Sequence, residues 1–365
     1  MKITNISLSD EELKRYSRQL SLSQIGMSGQ KKIKNAKVLC VGAGGLGSAA
    51  LIYLAGAGVG TIGIIDDDQV ELNNLHRQII YNTQQINMTK PEAAKERIQA
   101  INPNINVITY NTILSDQNAL DIIDSYDIVI DGTDNFTAKY LINDACIISN
   151  KPNIFATIYQ FQGQCSIFTR AGPCYRCLYP IFPENHTPNC AQAGVLGSLP
   201  GLLGTIQAIE TIKLIVNTGY PLIGEILTID VLSMQFKKHN IKQNPSCKMH
   251  HKNIEKHILK QTSSTLDSFC TNIKSISARN LKKRVKEGIE IQLVDVRQKH
   301  EHQVYNIGGK AIPLNELEKR INELNPTQEV IVYCQTDQRS KKAAKTLISL
   351  GFNSVLYLKG GIISY

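Results

Sequence analysis

The sequence predicts an α/β protein: a doubly wound, mostly parallel sheet followed by a second, smaller α/β domain. Three observations carry that expectation. A glycine-rich turn, Gly42-Ala43-Gly44-Gly45-Leu46-Gly47-Ser48, joins the apolar run Val38-Leu39-Cys40-Val41 to a helix of small residues. Short apolar runs then alternate with helix-length segments, the pattern of a sheet with parallel crossovers. After a polar, Ser/Thr/Lys-rich stretch over 252–272, a separate β/α pattern begins. The expected organisation is therefore a domain over 1–251, a linker over 252–272 and a second domain over 273–365.

Ser9-Asp10-Glu11-Glu12 is a capping-box pattern and predicts a helix through about Gln24. Residues 38–41 read as a buried strand, 48–57 as the helix after the glycine turn, and 61–66 as the next strand. Residues 91–100 are helical and 107–110 form a strand. Another strand, 127–131, ends at Gly132-Thr133-Asp134-Asn135. In the second domain 291–296, 330–333 and 355–358 are strands and 340–350 a helix. No internal repeat relates the two halves.

A chain of 365 residues suggests two domains, and 42% hydrophobic with 19% charged residues describes a globular protein with apolar cores. No apolar run reaches the length of a membrane span. The start, Met1-Lys2-Ile3-Thr4-Asn5, is neither an apolar secretory signal nor an Arg/Ser-rich transit peptide. The expectation is a soluble protein with no membrane partner, cytoplasmic, or in the plastid stroma if an organelle encodes it. The frequent Lys, Asn and Ile, with no Trp, would fit an organelle genome.

The net charge of +9 is spread along the chain, without a basic stripe interleaved with aromatics, which argues against nucleic acid. A basic face would instead steer an acidic protein partner. Nine cysteines without a signal do not make a disulfide scaffold. Cys40, Cys146 and Cys165 lie in apolar runs and read as core. Cys174, Cys177 and Cys247 have metal-ligand spacing, while Cys190 and Cys334 fall in loops.

Gly42, Gly44 and Gly47 allow a tight turn and close approach to phosphate oxygens, with a helix N-terminus behind them. Asp66, ending the second strand, is placed to accept from ribose hydroxyls. To this point an NAD-dependent oxidoreductase fits equally well. Arg77, directly after Asn73-Asn74-Leu75-His76, offers a bidentate phosphate clamp. Lys90 opens the next helix as a point charge for a phosphate. Asp134-Asn135 ends a third strand on the same edge, where a carboxylate holds Mg²⁺.

These residues carry a resemblance. Arg15-Tyr16-Ser17-Arg18-Gln19, the 42–47 loop, Asp66 to Asp68, Asn74-Leu75-His76-Arg77-Gln78 and Asp131 to Asn135 resemble the adenylation domain shared by the MoeB, ThiF and ubiquitin-activating enzymes. Cys174-Tyr175-Arg176-Cys177 and Asn189-Cys190-Ala191-Gln192-Ala193-Gly194-Val195 do so too. The resemblance covers about the first 250 residues and implies a Rossmann-like domain. It implies ATP binding by Gly42, Gly44, Gly45, Gly47, Asp66, Asp68, Asn73, Asn74, Leu75, His76, Arg77, Gln78, Lys90, Asp134 and Asn135. Arg18 would reach the nucleotide of the neighbouring subunit in a homodimer. One departure is that Asn87-Met88-Thr89 precede Lys90 where the family usually has a Gly.

Family members pair Cys174-x-x-Cys177 with a second C-x-x-C, and here that half is Cys247-Lys248-Met249-His250. Zn²⁺ accepts Cys₃His as readily as Cys₄, so Cys174, Cys177, Cys247 and His250 are the expected ligands. His251 is an alternative ligand, and loss of the metal another reading. Cys190 lies where a thiol can attack an activated carboxylate.

Asp295-Val296-Arg297, Glu301, Gly308 to Leu314 and Leu358 to Ile362 resemble a rhodanese domain over about 275–365. Its loop, Cys334-Gln335-Thr336-Asp337-Gln338-Arg339-Ser340, would set Cys334 in a cradle of backbone N–H groups that favours a thiolate or persulfide. Active loops of that family usually contain an Arg and a Gly. This one has Gln335, Thr336 and Asp337 there, and keeps Arg339.

The resemblance implies an adenylyltransferase of the MoeB, or molybdopterin-synthase, type. ATP and Mg²⁺ would activate the C-terminal glycine of a small ubiquitin-like sulfur-carrier protein, with Arg77 and Asp134 acting at the phosphates. A persulfide donor would supply sulfur through Cys334, ending as a thiocarboxylate for molybdenum cofactor biosynthesis. A thiamine-biosynthesis or tRNA-thiolation carrier is the same chemistry on another partner. The rivals of another class are the NAD-dependent oxidoreductase and a non-catalytic carrier-docking protein.

Overall fold

The computed structural model describes residues 7–180, 194–250 and 274–365. The chain divides into two units, Met1–Thr265 and Leu266–Tyr365, each with its own sheet. The expected linker, 252–272, lies outside the described residues, as do Cys190 and His251.

In the first unit Ser9 caps α1 (Asp10–Arg15) and exchanges hydrogen bonds with Glu12, as the capping box requires. The helix expected to run on through Gln24 stops at Tyr16. A single turn, α2 (Ser17–Leu20), and a separate helix, α3 (Gly26–Asn35), follow. The cause is tertiary. Tyr16 is drawn into the core, where Asn102 donates to its hydroxyl at 2.7 Å. Its ring closes on Gly58, at φ +87°, where a Cβ would lie 2.5 Å from the ring. Only glycine tolerates both constraints.

The chain then continues through β1 (Lys37–Val41), α4 (Gly45–Ala57), β2 (Thr61–Ile65), α5 (Lys90–Ile101) and β3 (Asn106–Tyr110). α6 (Ala119–Asp124), β4 (Ile128–Asp131), α7 (Phe136–Ile148) and β5 (Asn153–Tyr159) come next. β6 (Gln162–Phe168), α8 (Tyr175–Leu178), α9 (Ser198–Val216), β7 (Glu225–Asp230) and β8 (Gln235–Asn240) complete the unit. The sheet order is β3-β2-β1-β4-β5-β6-β7-β8. The first five strands are parallel, and all but the partly exposed edge strand β3 are largely buried, as their apolar sequences require. The last three are antiparallel and were not foreseen.

One expectation needs correction. α9 is long and apolar enough, by length and composition, to cross a membrane. It packs instead on α4 and on β5 and β6. Gly204 lets the two helices touch, since a Cβ there would lie 2.2 Å from the Leu46 carbonyl. Buried Gln207 donates to the carbonyls of Asp131 and Ile154, each at 2.8 Å, which stitches α9 to the sheet.

The second unit runs β9 (Lys274–Ile276), α10 (Ala278–Lys286), β10 (Gln292–Asp295), α11 (Lys299–Val304), β11 (Lys310–Ala311), β12 (Val330–Tyr333), α12 (Gln338–Ser349) and β13 (Val355–Leu358). Its sheet order, β11-β10-β12-β13-β9, is parallel throughout. Val294, Val330 and Val332 face one core with Leu347 and Phe352, while Ile331, Tyr333 and Leu356 face the other. This alternation is what two covered sheet faces demand.

Candidate active site

β1, β2 and β4 end in register, with Val41 opposite Ile65 on one side and Asp131 on the other. Gly42, Asp66 and Gly132 therefore leave the sheet side by side. They do so where the strand order reverses, the place where open α/β sheets bind ligands. Gly42, at φ +88°, turns so tightly that a Cβ would lie 2.9 Å from Gly132. Gly44 faces open space, for the nearest atom to a Cβ there is Gln78 Nε2 at 3.9 Å. α4 begins at Gly45, earlier than the expected Ser48, so its unpaired N–H groups lie beside that space.

The charged groups are built around this turn. Asp66 accepts from the Ala43 N–H at 2.7 Å and the Asp68 N–H at 2.9 Å. Burial pushes its carboxyl up, opposed by Lys90 and those two N–H groups. Lys90, the buried first residue of α5, lies 2.6 Å from Asp68 Oδ2 and 3.9 Å from Asp66 Oδ1. Asn74 and Gln78 are buried, and Gln78 donates to Asn74 Oδ1 at 2.7 Å. Arg77 donates to the Asn73 carbonyl at 2.9 Å, and His76 Nδ1 lies 3.0 Å from the same oxygen. Leu75 packs against the core. A Cβ at Gly45 would sit 3.5 Å from the Arg77 carbonyl, so this turn rests on the glycine loop.

On the other side of the loop Asn135 caps α7, accepting from the Ala138 N–H at 2.9 Å. Asp134 is exposed and has no ion pair among the described residues. Below it, buried Asp131 accepts from the Thr133 N–H and hydroxyl and pairs with buried Lys139 at 3.2 Å. Sequence reasoning missed this pair, and it missed Tyr81, whose buried hydroxyl donates to the Ala43 carbonyl at 2.8 Å. The available signal was Tyr81 falling four residues after Arg77.

Arg18 is not brought to this edge within one chain. It is exposed on α2, beside Gln19, which donates to the Ala57 carbonyl at the far end of α4. α4 has 13 residues, so at the helical rise its ends lie about 20 Å apart.

Cys174, Cys177, Cys247 and His250 converge, all their donor atoms lying within 4.8 Å of one another. Cys174 Sγ is 3.7 Å from both Cys177 Sγ and Cys247 Sγ, and His250 Nε2 is 3.3 Å from Cys177 Sγ. Tetrahedral Zn–S bonds of about 2.3 Å put sulfurs about 3.8 Å apart, so the donor set fits that ion. The knuckle packs on Ile147, at the end of α7 opposite Asn135, and so stands clear of the glycine loop. Cys40, Cys146 and Cys165 are fully buried, and desolvation pushes their thiols up, as befits core residues.

In the second unit Cys334 directly follows β12 and is buried, 1% exposed. Its sulfur accepts from the Ser340 N–H at 3.3 Å and lies 3.5 Å from Ser340 Oγ. Arg339 forks onto Glu301 at 2.6 and 2.8 Å, and this hydrogen bonding holds the Glu301 carboxyl down at about 2. Buried Arg297 is tied to Asp295 and reaches Gln335 Oε1 at 3.3 Å. Asp337 pairs with Lys341 at 3.0 Å. Gly361, at φ +66°, presses the loop, since a Cβ there would lie 2.1 Å from the Thr336 carbonyl.

Comparison with known proteins follows the same division. The family model "ThiF family" matches residues 16–249, and "Rhodanese-like domain" matches 277–365. The chain is 36% identical to the "Probable adenylyltransferase/sulfurtransferase MoeZ" of Mycobacterium tuberculosis, over 98% of this chain and 94% of that one. It is 40% identical to the "Probable molybdopterin-synthase adenylyltransferase" of Porphyra purpurea, over 100% and 95%. A crystal structure of E. coli MccB with ATP superposes with a TM-score of 0.58 at 26% identity, over 65% of this chain and 74% of that one. These matches favour the adenylation reading of the glycine turn over the nicotinamide one. The chain belongs to the ThiF family, with a rhodanese-like domain as its second unit.

Proposed function

We propose that this enzyme adenylates the C-terminal glycine of a small ubiquitin-like sulfur carrier, specifically the small subunit of molybdopterin synthase, for molybdenum cofactor biosynthesis. The carrying observation is the convergence of the glycine loop, Asp66, Lys90, the Arg77 turn and Asp134 on one edge of the sheet. The open face at Gly44 and the N-terminus of α4 receive phosphate oxygens, while Lys90 and Arg77 offset charge as pyrophosphate leaves. Asp134 and Asp68 are the carboxylates that would hold Mg²⁺, whose charge supports the leaving group. Cys174, Cys177, Cys247 and His250 would hold Zn²⁺ as a closed structural site.

Sulfur transfer follows adenylation. Cys190 attacks the activated carboxylate and takes the acyl group as a thioester while AMP leaves. The outer sulfur of a Cys334 persulfide, loaded by a persulfide donor, then displaces the Cys190 thiol and forms an acyl disulfide. An external thiol cleaves it to the thiocarboxylate, and a second external thiol reduces the disulfide left on Cys334. The name of the Porphyra purpurea relative supports the molybdopterin carrier over the thiamine and tRNA-thiolation ones. ATP–pyrophosphate exchange with each carrier in turn tests the choice. Exchange with the molybdopterin-synthase subunit should exceed that with the others, and equal rates would refute it.

A homodimer belongs to the same proposal. Tyr53 and Ile209, each half exposed, line an apolar groove with Gln19 and Ile212, on the face that carries α2 and Arg18. A second copy seated there would present Arg18 to its partner's nucleotide. Mixing Arg18→Ala with Asp134→Ala chains should restore exchange, because one composite site of each mixed dimer is intact. Failure to complement would place Arg18 outside the reaction.

A further inference from the structure

The two peptide groups flanking Ala43 are pinned separately. Its N–H goes to Asp66 Oδ2 at 2.7 Å, and its carbonyl accepts from Tyr81 at 2.8 Å. A trans peptide is planar, with its C=O and N–H pointing in opposite directions. When Tyr81 draws the Ala43 carbonyl into the core, it aims the N–H of Gly44 the other way, out of the core. That N–H has no acceptor among the described residues, and the space at Gly44 is open. Tyr81 itself is 7% exposed, and its hydroxyl is a donor that does not ionise here, because burial and the nearby Asp66 both push it up. The residue also closes the turn that carries Arg77, through its N–H to the Gln78 carbonyl at 3.2 Å. One hydroxyl thus joins the turn of the cationic clamp to the glycine loop.

We propose that Tyr81 is a positioning residue for the nucleotide: its hydroxyl fixes the Ala43–Gly44 peptide so that the Gly44 N–H meets a phosphate oxygen. This rests on the adenylating function above. Tyr81→Phe removes the hydroxyl and keeps the ring. The loss of one preorganised donor to a charged oxygen should raise the dissociation constant of ATP about tenfold. Adenosine makes no phosphate contact, so its affinity, read by displacement of a fluorescent ATP analogue, should change less than about twofold. The carrier's KM should likewise hold while that of ATP rises. A role confined to packing would weaken ATP and adenosine alike, and that result overturns the proposal. So does unchanged ATP affinity in Tyr81→Phe. If the native protein binds no ATP, the adenylation reading and this inference fall together. Binding by the native chain with no difference in the variant removes only the inference. Circular dichroism and a melting curve of the variant confirm that it is folded.

Discussion

Asp134 and Glu301 illustrate opposite uses of a carboxylate. Asp134 stands exposed, without an ion pair among the described residues, one position before the cap of α7. Asp134→Ala should therefore leave the fold intact and cut carrier-dependent pyrophosphate exchange by about a hundredfold or more, the scale of a lost charge clamp. Near-normal exchange would remove it from the site. Glu301 is instead consumed by Arg339, with its folded pKa near 2 against an ordinary 4.5. A depressed carboxylate stabilises the fold above its unfolded pKa, and the benefit is lost as pH falls towards 2. The gap in melting temperature between the native chain and Glu301→Gln should hold near neutrality and close below about pH 4.5. A gap independent of pH would show that the pair contributes no charge linkage. Asp66 and Asp134 were singled out in the sequence because each follows closely on a strand end, and Arg77 because it closes the Asn73-Asn74-Leu75-His76 run. Tyr81, Asp131 and Lys139 were not, because hydrogen-bonding and ion-pair partners set their roles, and composition does not carry those.

α7 links two sites that its sequence does not connect. Asn135 caps its start beside the glycine loop, and Asn143 and Asp144 hold the knuckle near its end. Asn143 accepts from the Tyr175 N–H at 2.7 Å, while Arg176 forks onto fully buried Asp144 at 2.7 and 2.8 Å. Removing one partner of a buried pair costs about 3–5 kcal/mol, so Asp144→Ala should lower the melting point of the first unit and weaken Zn²⁺ binding by the knuckle, measured by titration with the metal. The purified chain should carry about one Zn²⁺. His250→Cys should retain it and His250→Ala should not, by elemental analysis after mild chelation. Full zinc in His250→Ala would exclude His250 as a ligand. The C-x-x-C half-site is plain in the sequence, whereas its support on α7 comes from residues about thirty positions earlier. For the same reason the break at Tyr16 was invisible, since Asn102 and Gly58 cause it. β8 escaped notice because every one of its residues is exposed and it shows no apolar period. α9 has the length and composition of a membrane span, and its burial against α4 is a tertiary fact.

The two units divide the chemistry by their cysteines and charges. The first brings the glycine loop, Asp66, Asp68, Lys90 and the Arg77 turn together at one sheet edge, away from Arg18. The second offers a buried thiol with one backbone N–H at 3.3 Å from its sulfur. Cys334→Ala should accordingly keep pyrophosphate exchange and lose thiocarboxylate formation, read as the mass of the carrier after a complete reaction. Cys190→Ala should also keep exchange, with slower transfer. The donor follows from the charges around the loop. Arg339 is spent on Glu301 and Arg297 on Asp295, so neither guanidinium is free to clamp a sulfonate-like dianion. Asp337, although paired with Lys341, places a carboxylate in the loop itself. Thiosulfate should therefore load Cys334 slowly, and a protein persulfide, which brings less charge, should load it faster. Lys341→Ala unmasks Asp337 and should slow thiosulfate further, whereas Asp337→Asn should speed it by several-fold, as expected for one charge at partial exposure. If the Cys334 variant still gives thiocarboxylate at the native rate, sulfur reaches the adenylate by a route that bypasses the second unit.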